Sequence, residues 1–95
     1  MTQFVLVKLK DGESRVEIQR RAKELLSRCV GEIEGFESVE VHVNCFERER
    51  NYDLMLEMHM KDDKTLREYI PHRLHKEFLE YLTPKEVSKV TFDRE

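Results

Sequence analysis

The 95-residue chain has no tryptophan, only three glycines, two prolines and two cysteines, and no excess of positive charge. No apolar run approaches the ~18 residues that a membrane-spanning helix requires, which excludes a membrane partner of that kind. The start, Met-Thr-Gln-Phe, lacks the basic-then-apolar layout of a secretory leader, so the expected location is cytoplasmic. Cys29 and Cys45 form no CxxC pair, which removes zinc-knuckle and thioredoxin-like chemistry and leaves two reduced thiols as the expectation. Lys and Arg number 17 against 20 Asp and Glu, for a net charge of −3. A nucleic-acid module would carry a basic face, and none is suggested. No repeat, linker or low-complexity segment interrupts the chain, and a single domain over residues 1–95 is expected.

What is present is pattern. Gln3 to Lys10 is rich in β-branched and aromatic residues and reads as a strand. Both of its alternating rows are apolar, with Val5, Val7 and Leu9 on one side and Phe4 and Leu6 on the other. Asp11-Gly12 turns the chain. Ser14 and Glu17 have the spacing of a capping box. Val16, Ile18, Ala22, Leu25, Leu26, Cys29 and Val30 then recur at helical spacing, with Gly31 as the C-cap. Phe36 to Asn44 alternates strictly, as does Asn51 to Met60, and the two read as a hairpin. Asp62 and Asp63 open a second helix that Pro71 bends or breaks before it resumes with Leu74, Phe78, Leu79 and Leu82. Val87 to Phe92 is the last strand. The fold class is α+β: a ferredoxin-like βαββαβ antiparallel sheet with both helices on one face.

The helices must cover the more apolar sheet face, which carries Val5, Val7, Leu9, Val39, Val41, Val43, Leu54, Leu56, Met58 and Met60. The other face carries Phe4, Leu6, Glu40, His42, Met55, Glu57 and His59. It is too apolar for a wetted surface and too polar for a second core, so it is read as the face that meets a second copy in a homodimer. One hairpin register sets Glu40 opposite His59 and His42 opposite Glu57. These four are read as a polar cluster rather than a metal site, although imidazole and carboxylate are proper ligands.

Three stretches carry a family resemblance: FVLVKLKDG; Gly35-Phe36 with Val39-Glu40-Val41 and Asn51-Tyr52-Asp53-Leu54; and above all Tyr69-Ile-Pro-His72-Arg-Leu-His75-Lys-Glu-Phe78. Together they resemble the stress-responsive α/β-barrel (Dabb) domain over about residues 3–92. The resemblance implies a ferredoxin-like monomer whose sheet pairs face to face with its copy as a dimeric α+β barrel. It also implies a pocket for a small apolar ligand between helices and sheet, assigned here to Gln3, Val5, Val7, Leu54 and Leu56. A plant relative, olivetolic acid cyclase, closes a linear polyketide by aldol condensation without metal or organic cofactor. Tyr69 and His75 fall on its pocket Tyr and His, which implies His75 as base and Tyr69 as hydrogen-bond donor. Gln3 stands where that enzyme has a strand His, and Arg73 where its pattern has Pro. A monooxygenase-like activity of the wider superfamily is a further option. Both side chains also suit a structural role, His75 hydrogen-bonded at the edge of the core and Tyr69 anchoring it.

Overall fold

Alternation and helical spacing lead to seven elements in the computed structural model, which describes all 95 residues. They are β1 (Thr2–Leu9), α1 (Arg15–Ser27), β2 (Phe36–Val43), β3 (Leu54–Met60), α2 (Asp63–Tyr69), α3 (Arg73–Leu82) and β4 (Glu86–Arg94), with a 3-10 turn at Thr83–Lys85 before β4. The strands form one antiparallel sheet in the order β2-β3-β1-β4. The topology is ferredoxin-like βαββαβ, with the second helix divided into α2 and α3. The inward rows Val5, Val7 and Leu9, Val39 and Val41, and Leu54 to Met60 at every second position meet Ile18, Leu25 and Leu26 of α1 and Leu74, Phe78 and Leu82 of α3 in one core.

Helix ends depart from the sequence reading in ways local bonding explains. Ser14 Oγ accepts the Glu17 N–H at 3.2 Å, but the Glu17 carboxylate turns to Arg20 instead of reaching back to the cap. The helix stops at Ser27, short of Gly31, because the N–H groups of Arg28, Cys29 and Val30 bond three residues back and tighten the chain into turns. Val30 is therefore exposed, and Val16 is too, since it lies on the side of the first turn opposite Ile18.

The hairpin register also differs. Val43 pairs with Leu54, Val41 with Leu56 and Val39 with Met58, which sets Glu40 opposite Glu57 and His42 opposite Met55. Relative to the expected pairing the strands are slipped by two residues. A two-residue slip keeps every side chain on its own face and exchanges only its cross-strand partners, so hydrophobic alternation alone does not select between the registers. Asn44 helps to set it: its N–H donates to Asp53 O at 2.9 Å and its side-chain amide donates to Tyr52 O at 3.0 Å across the hairpin.

At the start of β2, Gly35 has φ +91°, and a Cβ there would stand 2.3 Å from Thr65 Oγ1. Thr65 is buried, and its hydroxyl donates to Asp62 Oδ1 at 3.1 Å, so it cannot move aside without losing that bond. Gly35→Ala is expected to lower the unfolding free energy by about 2 kcal/mol. Urea unfolding should show an earlier midpoint with an unchanged slope.

Candidate functional site

The site begins with a missing donor. Pro71 has no N–H and its ring crowds the preceding turn, so α2 ends there. His72 then takes extended backbone angles as the N-cap of α3, and its Nδ1 accepts the Leu74 N–H at 3.1 Å. In an unbroken helix that N–H would have gone to the Ile70 carbonyl. His75 supplies the replacement, with Nδ1 2.7 Å from Ile70 O. A carbonyl can only accept, so the His75 proton sits on Nδ1 and the lone pair on Nε2 is left free.

The same break brings His75 against Tyr69. Their ring centroids are 4.4 Å apart with planes tilted by 42°, and the Phe36 ring lies 5.5 Å from the Tyr69 ring. Burial holds the His75 pKa below the usual imidazole value; the Ile70 carbonyl opposes this shift and nearby Lys89 reinforces it. Burial likewise drives the Tyr69 phenol well above its usual range, so it stays protonated.

Between helices and sheet lies a cavity of about 320 Å³. Gln3 and Val5 of β1 with Leu56 and Met58 of β3 form its floor, and Leu66 and Tyr69 of α2 with Phe78, Leu79 and Leu82 of α3 form its roof. Lys89, Thr91 and Asp93 of β4 border it at the sheet edge. Tyr69 is only 2% exposed and its hydroxyl bonds to nothing in the chain. The one fully sealed side-chain polar atom without a partner is Glu86 Oε2, so the Tyr69 oxygen retains access to open space, and the cavity it lines supplies that space. Gln3, also buried, donates from Nε2 to Asp93 Oδ1 at 3.0 Å. Lys89 is paired with Glu86 at 3.3 Å.

The opposite sheet face is ordered in rows that cross the strands. One row is Glu40, Glu57, Phe4, Phe92; the next is His42, Met55, Leu6, Val90. Polarity therefore falls from β2 to β4. Glu40 and Glu57 are like charges set opposite each other, and each has its own partner. Lys23 Nζ is 3.5 Å from Glu40, while Glu57 accepts from His42 Nε2 at 3.0 Å and His59 Nε2 at 2.7 Å. The bonds from His42 and then His59 hold the Glu57 carboxyl below its usual pKa. His59 Nδ1 in turn accepts from Thr2 Oγ1 at 3.1 Å.

The family model for the stress responsive A/B barrel domain, Dabb, matches residues 1–95. The chain belongs to this family. No functionally curated protein shows significant sequence similarity to it. Among solved structures it is similar to a dimeric protein of unknown function and ferredoxin-like fold from Bacteroides fragilis, with a TM-score of 0.81 and 20% identity over 99% of this chain and 93% of the other. A Dabb family protein from Mesorhizobium loti gives a TM-score of 0.73 and 17% identity over 99% and 93%. The hydroxynitrile lyase of Passiflora edulis gives 0.75 at 9% identity over 96% and 87%. At these identities the shared property is the fold.

In this Dabb chain the cavity gathers Gln3, Val5 and Leu56 of the five residues assigned to the pocket, together with Tyr69 and His75. Val7 and Leu54 do not reach it. They pair with each other toward the far end of β1 and the start of β3, away from the helix break, and are closed into the core at 0% and 2% exposure. Phe4, Leu6, Glu40, His42, Met55, Glu57 and His59 all lie on the outer face. On β4 two groups were missed by the sequence reading, Val90 and Phe92 on the outer face and Lys89, Thr91 and Asp93 at the cavity edge, as was the cavity role of Met58 and of the roof residues other than Tyr69. The alternation of β4 was the available signal, since it separates these two sets.

The lowered His75 pKa makes folding stability depend on pH. Below about 6.5 the unfolded chain takes up the proton first, so stability falls as the pH drops from there through the lower folded value and levels off beneath it. His75 Cε1–H followed by NMR should titrate with a midpoint under 6.5. His75→Asn should remove this part of the pH dependence of urea unfolding.

Proposed function

We propose that the chain acts as a homodimer in which each subunit holds a small apolar ligand in the cavity between its helices and its sheet. The observation that carries the ligand reading is the 320 Å³ apolar cavity that ends on an unpartnered Tyr69 hydroxyl and a free His75 Nε2. Binding sites of this kind are concave, mostly apolar and furnished with a few placed polar groups. The dimer reading rests on the outer face, where Phe92 is 63% and Val90 45% exposed beside Phe4, Leu6 and Met55. An apolar patch of that extent on a small chain marks an interaction surface. The Bacteroides fragilis neighbour of the same fold is dimeric.

A second reading is supported by the locked tautomer of His75. A base with its lone pair on Nε2, next to a phenol that stays protonated, suits cofactor-free chemistry on a small carbonyl compound. His75 would take an acidic α-proton as the C–H bond breaks, and Tyr69 would donate a hydrogen bond to the enolate oxygen. The enolate carbon would attack a second carbonyl of the same molecule, and the imidazolium would return the proton to the new alkoxide. The amide of Gln3 contributes no base to this scheme.

Two measurements test the proposal. Sedimentation at micromolar concentration should give about twice the 11.5 kDa of one chain. Phe92→Asp should give a folded monomer, whereas Val5→Asp, inside the core, should unfold the protein; equal effects would mean that the faces are wrongly assigned. Incubation with a metabolite extract should leave a small molecule bound to the native protein. Thr91→Trp, an exposed position bordering the cavity, should lose it, and retention by that variant would place binding elsewhere. Turnover of the captured molecule that disappears in His75→Asn and Tyr69→Phe would select the catalytic reading.

A further inference from the structure

The polar atoms that the cavity leaves free are unequal in kind. His75 Nδ1–H is taken up by the Ile70 carbonyl, so Nε2 can only accept. The Gln3 amide nitrogen is taken up by Asp93, whose carboxylate can only accept; this assigns the amide orientation and leaves Gln3 Oε1 as an acceptor. Gln3 lines the cavity and is 8% exposed, and its Oε1 has no partner in the chain and is not fully sealed. The Asp93 carboxylate adds a further acceptor at the edge. Of the donors, Lys89 at the edge gives one of its three N–H groups to Glu86 and its single charge is outweighed by the Glu86 and Asp93 carboxylates, while Thr91 stands on the exposed strand. The buried donor is the Tyr69 hydroxyl, which can also accept.

We propose that the cavity selects neutral apolar molecules bearing a hydroxyl group, phenols or alcohols, and discriminates against carboxylates. The inference rests on the ligand reading above and names its chemical class. A hydroxyl is the small group that can donate to His75 Nε2 while accepting from Tyr69. A carboxylate would set its oxygens against His75 Nε2, Gln3 Oε1 and Asp93, and would be taken from water into an apolar chamber with one free buried donor. A purely hydrocarbon ligand would leave His75 and Tyr69 desolvated and unpaired.

The test uses three probes of matched shape: para-propylphenol, para-propyltoluene and para-propylbenzoate, titrated by calorimetry at neutral pH. The phenol should bind about tenfold more tightly than the toluene analogue, the ratio one net buried hydrogen bond supports, and the benzoate should bind most weakly. Tyr69→Phe, which keeps the ring, should reduce this ratio while preserving affinity for the toluene analogue. Only the phenol should shift the His75 Nε2 resonance in a 15N spectrum. Equal binding of phenol and toluene analogue, or tightest binding of the benzoate, would overturn the hydroxyl proposal and leave an apolar ligand cavity standing. Failure of all three probes at their solubility limits would instead overturn both readings together.

Discussion

The sheet is wider than its roof. Four strands lie side by side, but the buried inward rows belong to β2, β3 and β1, while β4 is exposed along most of its length. The core must therefore end before the sheet does. At that boundary the inward residues change from Val5 and Leu56 to Thr91 and Asp93, and the cavity occupies the place where helices and sheet part. A chain of 95 residues has little apolar surface to spare, and a covered strand at this edge would have required more of it.

A second consequence follows from one proline. Because Pro71 divides the helix, His72 becomes a cap, Leu74 bonds to it, and the Ile70 carbonyl turns to the His75 ring. Each step answers the same requirement, that a backbone polar group with restricted access to water find a partner. The local repair of a helix break thus fixes the tautomer of an imidazole beside a buried phenol. The arrangement that gives the site its chemical character is a by-product of satisfying backbone hydrogen bonds.

The outer face obeys a different rule. Its rows run from a hydrogen-bonded carboxylate and imidazole cluster on β2 and β3 to bare aromatic and aliphatic side chains on β1 and β4. In the proposed dimer the apolar half supplies burial, while the polar half carries Glu57 already satisfied by His42 and His59. A charged group with its partners in place costs less to cover than a bare one. The two faces of one sheet thus differ in kind: one borders an internal chamber, and the other is the surface assigned to the proposed dimer.

Much of this was legible in the chain itself. Period-two and period-three-to-four spacing determined the element order, the division of the sheet into two faces, and the proximity of Tyr69 and His75 to the Pro71 break, because these depend on covalent geometry and local bonding. What only the tertiary structure decided was partnership across elements. The two-residue register of the hairpin, the enclosure of Val7 and Leu54 where a pocket was expected, and the edge formed by Lys89, Thr91 and Asp93 all depend on where strands and helices meet. The physical reason is that alternation specifies the face a side chain occupies and is silent about the neighbour it faces. A two-residue slip, or a roof one strand too narrow, leaves the pattern intact and changes which residues face one another.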